Sequence, residues 1–164
     1  MKSIKRKALV ILGALTLTAA TPVLAAGESG AHRHEHAASP ATLQLNAGKK
    51  WETDAALRQS MGSIRQMMAG ALHDIHENRL SAKGYGQLAH KVEDEVGKIV
   101  ANCKLSAEAD AQLHVVVGEL LGGAEGMAGK AKGVKRQGGA VQVIGALEKY
   151  ATYFDDPGFK PIAH

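Results

Sequence analysis

Apolar residues recur at steps of three and four along most of the chain beyond residue 53, which is the spacing of amphipathic helices. The first stripe follows Thr53, a good N-cap residue, with Asp54 favourably placed in the first turn. The stripe ends at Asn78. Its inward positions are Leu57, Met61, Ile64, Met68, Leu72 and Ile75. The spacing therefore predicts a first helix between Thr53 and Asn78.

Two further stripes follow, and each begins just after a serine. Ser81 is the predicted N-cap of the second helix, and Ser106 is that of the third, which carries Glu108 in its first turn. The inward positions of the second helix are Leu88, Val92, Val96, Ile99 and Cys103. Those of the third are Ala109, Leu113, Val116, Val117, Leu120, Leu121 and Ala124.

The stretch from Gly126 to Gly139 holds five glycines and a basic cluster, and it predicts a frayed helix end followed by a long loop. A fourth helix is expected from about Ala140 to Phe154, and Pro157-Gly158 stops it. Its predicted inward positions are Val141, Ile144, Leu147, Ala151 and Phe154. Three glycines fall four residues apart on the third helix, so they either admit a neighbouring helix closely or leave that helix marginal; they are Gly118, Gly122 and Gly126.

The fold class follows from these four stripes and the short connections between them. Short connections imply antiparallel neighbours, so we expect an all-α protein, an antiparallel four-helix bundle with up-down-up-down topology. The alternating pattern of a β-strand is not found in the sequence. The bundle domain is expected over residues 49–164.

The first 26 residues have the layout of a cleavable secretory signal. A basic start, residues 2–7, precedes an apolar run over 8–20, and small residues at Ala25 and Ala26 suit signal peptidase. The run falls short of the ~20 apolar residues that span a bilayer, which argues against a stable membrane anchor. We therefore expect a signal peptide over 1–26, a flexible histidine-containing leader over 27–48, and a periplasmic location.

Removal of the signal changes the charge balance. The chain has 20 basic and 16 acidic residues, and segment 1–26 contains four of the basic ones and none of the acidic ones. The mature chain is therefore formally neutral, and nothing in its composition points to nucleic acid as a partner. Cys103 is the only cysteine, which excludes an intrachain disulfide and a covalently attached haem.

The leader carries the most evident set of metal ligands. His32, His34 and His36 alternate in the segment His-Arg-His-Glu-His. Such a tract can gather Cu(II), Ni(II) or Zn(II) through its imidazole nitrogens. The alternative is a solvated leader whose histidines bind nothing. On the helices, His73 and His90 are expected to point away from the apolar stripes.

A soft-metal site is a second interpretation. Met61 and Cys103 are expected at the same end of the bundle, and a thioether with a thiolate suits Cu(I). The competing interpretation is that both side chains belong to the core, as methionines at helical spacing usually do. Haem held by methionine and histidine is a further alternative. A carboxylate-bridged two-metal site is disfavoured because the stripes lack inward Glu and Glu-x-x-His pairs.

No nucleophile-base arrangement or phosphate-binding motif is found in the sequence. The sequence therefore favours a non-enzymatic periplasmic bundle that binds a transition metal, such as copper, with low affinity. The alternatives are a structural or partner-binding bundle with no metal role and a carrier similar to b-type cytochromes. The identity of a protein partner does not follow from the residues.

One stretch carries a resemblance to a known group of proteins. Residues 45–54, Leu-Asn-Ala-Gly-Lys-Lys-Trp-Glu-Thr-Asp, resemble small uncharacterised secreted proteins of proteobacteria, some of which are labelled DnrO-like. The similarity extends through Cys103-Lys104-Leu105 to Pro157-Gly158-Phe159, over most of the mature chain. The resemblance implies a periplasmic location, a helical fold and a link to copper handling, and it implies no catalytic residue.

The expected topology gathers aromatic and apolar residues at one end of the bundle. Four of the six aromatic residues fall there, and Phe159 can fold back from beyond Pro157. The set is Trp51, Leu57, Met61, Cys103, Leu105, Tyr150, Tyr153 and Phe154. It is either a filled end of the core or a pocket for a small apolar ligand or a soft metal.

Overall fold

A computed structural model describes residues 42–163 of the chain. The predicted signal peptide and the leader histidines His32, His34 and His36 lie outside the described residues. Within them, four helices pack against one another in an all-α bundle, as the sequence predicts. The helices are α1 (Ala55–His76), α2 (Ala82–Asn102), α3 (Ala107–Ala128) and α4 (Arg136–Tyr153). None of them combines the length and the apolar character needed to cross a membrane.

Side chains cap the first three helices. The Ser81 hydroxyl accepts the Gly84 N–H at 3.1 Å, and the Ser106 hydroxyl accepts the Ala109 N–H at 3.2 Å, which confirms both predicted caps. The cap of α1 differs from the prediction. Asp54, not Thr53, is the N-cap, because its carboxylate accepts the Leu57 N–H at 2.7 Å.

The loop between the third and fourth helices is shorter than predicted and covers residues 129–135. Helix α3 continues to Ala128 and ends at Gly129, whose φ of 75° is the left-handed conformation typical of helix C-termini. Helix α4 begins at Arg136. A Cβ on Gly139 would lie 2.4 Å from the Met127 nitrogen and 2.6 Å from the Gly123 oxygen. The missing side chain at Gly139 therefore lets the backbones of α3 and α4 touch.

This close contact also bears on the regularly spaced glycines of α3 and on the buried face of α4. Of the three regularly spaced glycines of α3, Gly126 meets Gly139, whereas a Cβ on Gly118 would face open space. On α4 the predicted inward Val141 is 58% exposed. Because Gly139 faces α3, the inward stripe of α4 starts at Gly139, two residues before the predicted Val141. Its buried members are Gly139, Ala140, Val143, Ile144, Ala146, Leu147 and Tyr150.

Two short strands that the sequence pattern does not reveal join the ends of the domain. Strand β1 (Trp51–Glu52) precedes α1, strand β2 (Phe154–Asp155) follows α4, and the two pair in parallel. Each has two residues, too few for an alternating pattern. The pairing places the beginning of α1 beside the end of α4.

The residues just before β1 also contact the bundle. Leu43 packs against the core, and the Gln44 N–H donates to the Gln112 side-chain oxygen on α3 at 2.7 Å. A tight turn follows, with Asn46 and Lys49 bonded to each other through their backbones. Residues 42–48, which the sequence assigns to the leader, thus lie along the surface of the helices.

Candidate functional site at the strand-paired end

At one end of the bundle, polar and aromatic residues from separate parts of the chain lie close together. The beginning of α1, the connection between α2 and α3, and the exit from α4 meet there. We call it the strand-paired end. Its central residues are Trp51, Asp54, Cys103, Lys104, Tyr150, Phe154 and Asp156.

The carboxylate of Asp54 joins two separate parts of the chain. One oxygen caps α1 through the Leu57 N–H, and the other accepts the Lys104 N–H at 2.5 Å. The Cys103 thiol adds a third hydrogen bond. Burial alone would raise the pKa of Asp54, but these hydrogen bonds and the nearby Arg58 charge outweigh burial and lower it. The ionised carboxylate is therefore the form that holds this end together.

Cys103 is half-buried beside this carboxylate. Burial, followed by the negative charge and hydrogen bonding of Asp54, raises the pKa of its thiol to about 11. Since the thiolate is the form that attacks electrophiles and binds metals, Cys103 is a hydrogen-bond donor at neutral pH. Met61 lies in the core with no exposed surface. The two sulfur-bearing residues that sequence analysis proposes as soft-metal ligands thus both pack in or against the core.

The histidines of the described helices lie on the surface. His90 faces Glu93 and Asp94 at 3.9 and 3.7 Å, and His114 bonds through its ring to the Asp110 carbonyl oxygen at 2.8 Å. Across residues 42–163, no three His, Cys, Asp or Glu side chains are grouped closely enough to hold a metal ion.

Aromatic rings fill the core at the strand-paired end. Tyr150 has no exposed surface; it stacks on Phe154 with ring centroids 5.4 Å apart and meets Phe159 edge-on at 5.0 Å. The predicted return of Phe159 is thus confirmed. The Tyr150 hydroxyl donates to the Asp156 carboxylate at 3.0 Å. Burial and the Asp156 charge raise the pKa of this tyrosine. The filled-core interpretation describes the part of the cluster around Tyr150, because its ring and that of Phe154 are buried and the Tyr150 hydroxyl has a partner.

The outer surface of the same end forms a shallow cleft of about 420 Å³ beside Trp51. Lys49, Lys50 and Lys104 line it, and Glu52 and Asp54 add two acidic groups. The Lys50 ammonium donates to the Ala151 carbonyl oxygen at 2.6 Å, so it connects the turn before β1 to α4. The lining carries one net positive charge, and two of its charged residues, Lys50 and Asp54, already form hydrogen bonds that join parts of the strand-paired end.

Sequence reasoning missed the two carboxylates that organise this end. Asp54 directly follows Thr53, and both residue types cap helices, so the local sequence does not choose between them. Asp156 precedes Pro157-Gly158, and its carboxylate accepts the Gly158 N–H at 3.2 Å. That Asp-Pro-Gly sequence is a recognisable turn signal. Its second contact, with Tyr150, depends on the tertiary fold.

Comparison with known proteins gives no relative for this chain: no family model, curated protein or solved structure matches it.

Proposed function

We propose that this chain is a non-enzymatic periplasmic helical-bundle protein that binds a transition metal, copper being the first choice, with low affinity through its leader. The observation that carries the proposal is the alternation of His32, His34 and His36 with Arg33 and Glu35. Three imidazoles within five residues can reach one ion, and imidazole suits Cu(II), Ni(II) and Zn(II). The basic, apolar and small-residue segments of residues 1–26 support the periplasmic location.

In this proposal the bundle is the folded domain that carries the metal-binding leader. Within residues 42–163 the buried core begins at Leu57, and Leu43 packs against it. The histidine segment precedes these residues in the sequence, so we expect metal binding and folding to be separable. In this proposal the main role of Met61 and Cys103 is to stabilise the bundle. They bind Cu(I) only if the metal replaces the proton of the Cys103 thiol, which breaks the hydrogen bond between that thiol and Asp54.

The topology we propose for the bundle is up-down-up-down. Asp54 at the beginning of α1 bonds to Lys104 just beyond α2, which supports an antiparallel α1–α2 pair. The Gln137 side chain at the beginning of α4 donates to the Ile75 carbonyl oxygen near the end of α1 at 2.8 Å. These contacts support α1 and α4 running in opposite directions.

The test uses protein recovered from the periplasm. Mass spectrometry should show cleavage after Ala25 or Ala26, and an uncleaved chain retained in the membrane would refute the location. Calorimetric titration with Cu(II), Ni(II) and Zn(II) should show a single weak site. Replacing His32, His34 and His36 by Ala should remove that site while the far-ultraviolet dichroism and the melting temperature stay unchanged.

Two matched controls make the metal titration decisive. His90→Ala removes one exposed imidazole from α2 and should leave binding intact. Cys103→Ser and Met61→Leu, titrated with Cu(I) under reducing conditions, report on the sulfur pair. Unchanged binding in the triple histidine variant would refute a leader site, and the structural or partner-binding alternative would then stand. A coloured protein with a haem absorption band would favour the cytochrome-like alternative.

A further inference from the structure

A second cleft lies between α1 and the C-terminal segment that follows β2. It has a volume of about 490 Å³. We call it the arginine cleft; its lining includes Arg58, Gly62, Arg65, Gln66, Asp156 and Phe159. It shares no lining residue with the lysine-lined cleft beside Trp51.

The two arginines share one face of α1. At ~100° per residue, positions 58, 62 and 65 fall within about 60° of one another, and Gly62 lies between the arginines. A rise of ~1.5 Å per residue separates the two Cα atoms by about 10 Å along the helix. Along α1 the wall of the arginine cleft therefore has an arginine residue on each side of Gly62, which has no side chain.

Each guanidinium donates hydrogen bonds to the chain through only some of its N–H groups. Arg58 donates through one terminal nitrogen to the Thr53 carbonyl oxygen at 2.6 Å and to the Thr53 hydroxyl at 3.0 Å. Arg65 donates through its Nε to the Lys160 carbonyl oxygen. A guanidinium has five N–H groups, so both side chains are positioned while donors remain for a ligand.

The charged groups that line the cleft leave it with one net positive charge, because Asp156 keeps its negative charge while it accepts hydrogen bonds. The Asp156 carboxylate faces the cleft, but one oxygen accepts the Tyr150 hydroxyl and the other the Gly158 N–H. The ring of Phe159 is half-buried, with Tyr150 against it edge-on, and gives the cleft an apolar wall. The lining thus combines two cationic forks with a short apolar surface.

We propose that the arginine cleft binds a small organic dianion, a dicarboxylate whose two carboxylates are joined by a short alkyl chain. Each guanidinium fork binds one carboxylate, since planar, two-pronged hydrogen bonding to carboxylates is what arginine does best. The alkyl chain crosses Gly62 and rests against Phe159. The spacing of the arginines favours glutarate and adipate over the shorter malonate.

Gly62 allows a test that leaves both arginines in place. A Cβ there would have no neighbour within 4 Å, so a larger side chain enters the cleft without disturbing the core. Gly70 is the matched control. It lies on the same helix, its Cβ position is equally open, and it is not part of the cleft lining.

The experiment is calorimetric titration of the full protein, as recovered from cells, with malonate, succinate, glutarate, adipate, acetate and inorganic phosphate. Glutarate or adipate should bind most tightly. Arg58→Gln and Arg65→Gln should each weaken that binding by about tenfold, equivalent to about 1.4 kcal/mol. Gly62→Leu should abolish it, and Gly70→Leu should leave it unchanged.

Three results would overturn the proposal. The first is equal binding of acetate and the dicarboxylates, because a single carboxylate cannot span the two forks. The second is phosphate binding more tightly than every dicarboxylate. The third is dicarboxylate binding that survives Gly62→Leu, which retains both arginines and so does not depend on how well the arginine variants fold.

Discussion

Replacement of Asp54 by Ala tests the central claim about the strand-paired end. The change removes the N-cap of α1, which costs about 1 kcal/mol in typical proteins. It also removes the acceptor of the Lys104 N–H. Hydrogen bonds to a charged group contribute about 1.5–3 kcal/mol, and partial solvent exposure at this site reduces that to about 1 kcal/mol. We therefore expect a loss of about 2 kcal/mol in the free energy of unfolding.

Ser81→Ala provides the matched comparison. Ser81 also caps a helix through one backbone N–H, that of Gly84, but within residues 42–163 its side chain forms no hydrogen bond to another helix. It should cost about 1 kcal/mol. Asp54→Asn keeps a capping oxygen yet turns an N–H donor or a weaker acceptor towards Lys104, so it should fall between the two. Urea denaturation followed by circular dichroism measures all three.

Acid titration gives an independent measurement of the same carboxylate. The folded state lowers the pKa of Asp54, so its contribution to stability is present above the ordinary carboxyl pKa of about 4 and is lost as the pH falls through the lower folded value. The wild-type protein should lose stability below about pH 4 more steeply than Asp54→Asn. Alkylation of Cys103 should also be faster in Asp54→Asn, because the neighbouring negative charge is gone.

The reasoning about this end fails if Asp54→Ala costs no more than Ser81→Ala. That result would mean that the Lys104 contact contributes nothing and that Asp54 is only a helix cap. Equal acid sensitivity in Asp54→Asn and the wild type would contradict the lowered pKa. The urea denaturation and the acid titration are both made on the whole protein without added metal or other ligand.

Four other substitutions test the packing. Gly139→Ala should destabilise the protein by about 3 kcal/mol, because the new Cβ would overlap backbone atoms of α3. Gly145→Ala places its Cβ in open space and should stabilise the protein by about 1 kcal/mol. Thermal melts of the two variants measure the difference. Tyr85→Phe should be neutral or stabilise by about 1 kcal/mol in urea denaturation, because the buried Tyr85 hydroxyl has no partner in the described structure, and a clear loss would reveal one. Trp51→Ala should lower the free energy of unfolding by about 2 kcal/mol, less than the loss of a fully buried indole, because the ring is half-buried. The variant also loses the hydrogen bond from the indole N–H to the Gln44 carbonyl oxygen at 2.7 Å. Unchanged denaturation of the variant, with a wild-type fluorescence spectrum typical of a fully solvated indole, would contradict this.

The candidate sites were predictable to different degrees. The aromatic cluster and the return of Phe159 followed from apolar spacing together with the expected order of the helices. The Asp54–Lys104 bond did not, because it joins residues 50 positions apart and a sequence carries no distance between them. The arginine cleft was missed for the same reason: Arg58 and Arg65 lie on an exposed helix face, and only the returning C-terminal segment turns that face into a cleft.

The sequence by itself determined the four helices, two of the caps and most of the buried stripe, because these depend on a period of about 3.6 residues and on side chains close to the backbone groups they bond. The tertiary structure alone decided which face of α4 is buried and where α3 ends. Gly139 must approach the backbone of α3, and that contact sets the rotation of α4, leaving Val141 exposed. It also decided the pairing of β1 with β2, since a two-residue strand has no period of its own and forms only when the packed helices bring its partner within hydrogen-bonding distance.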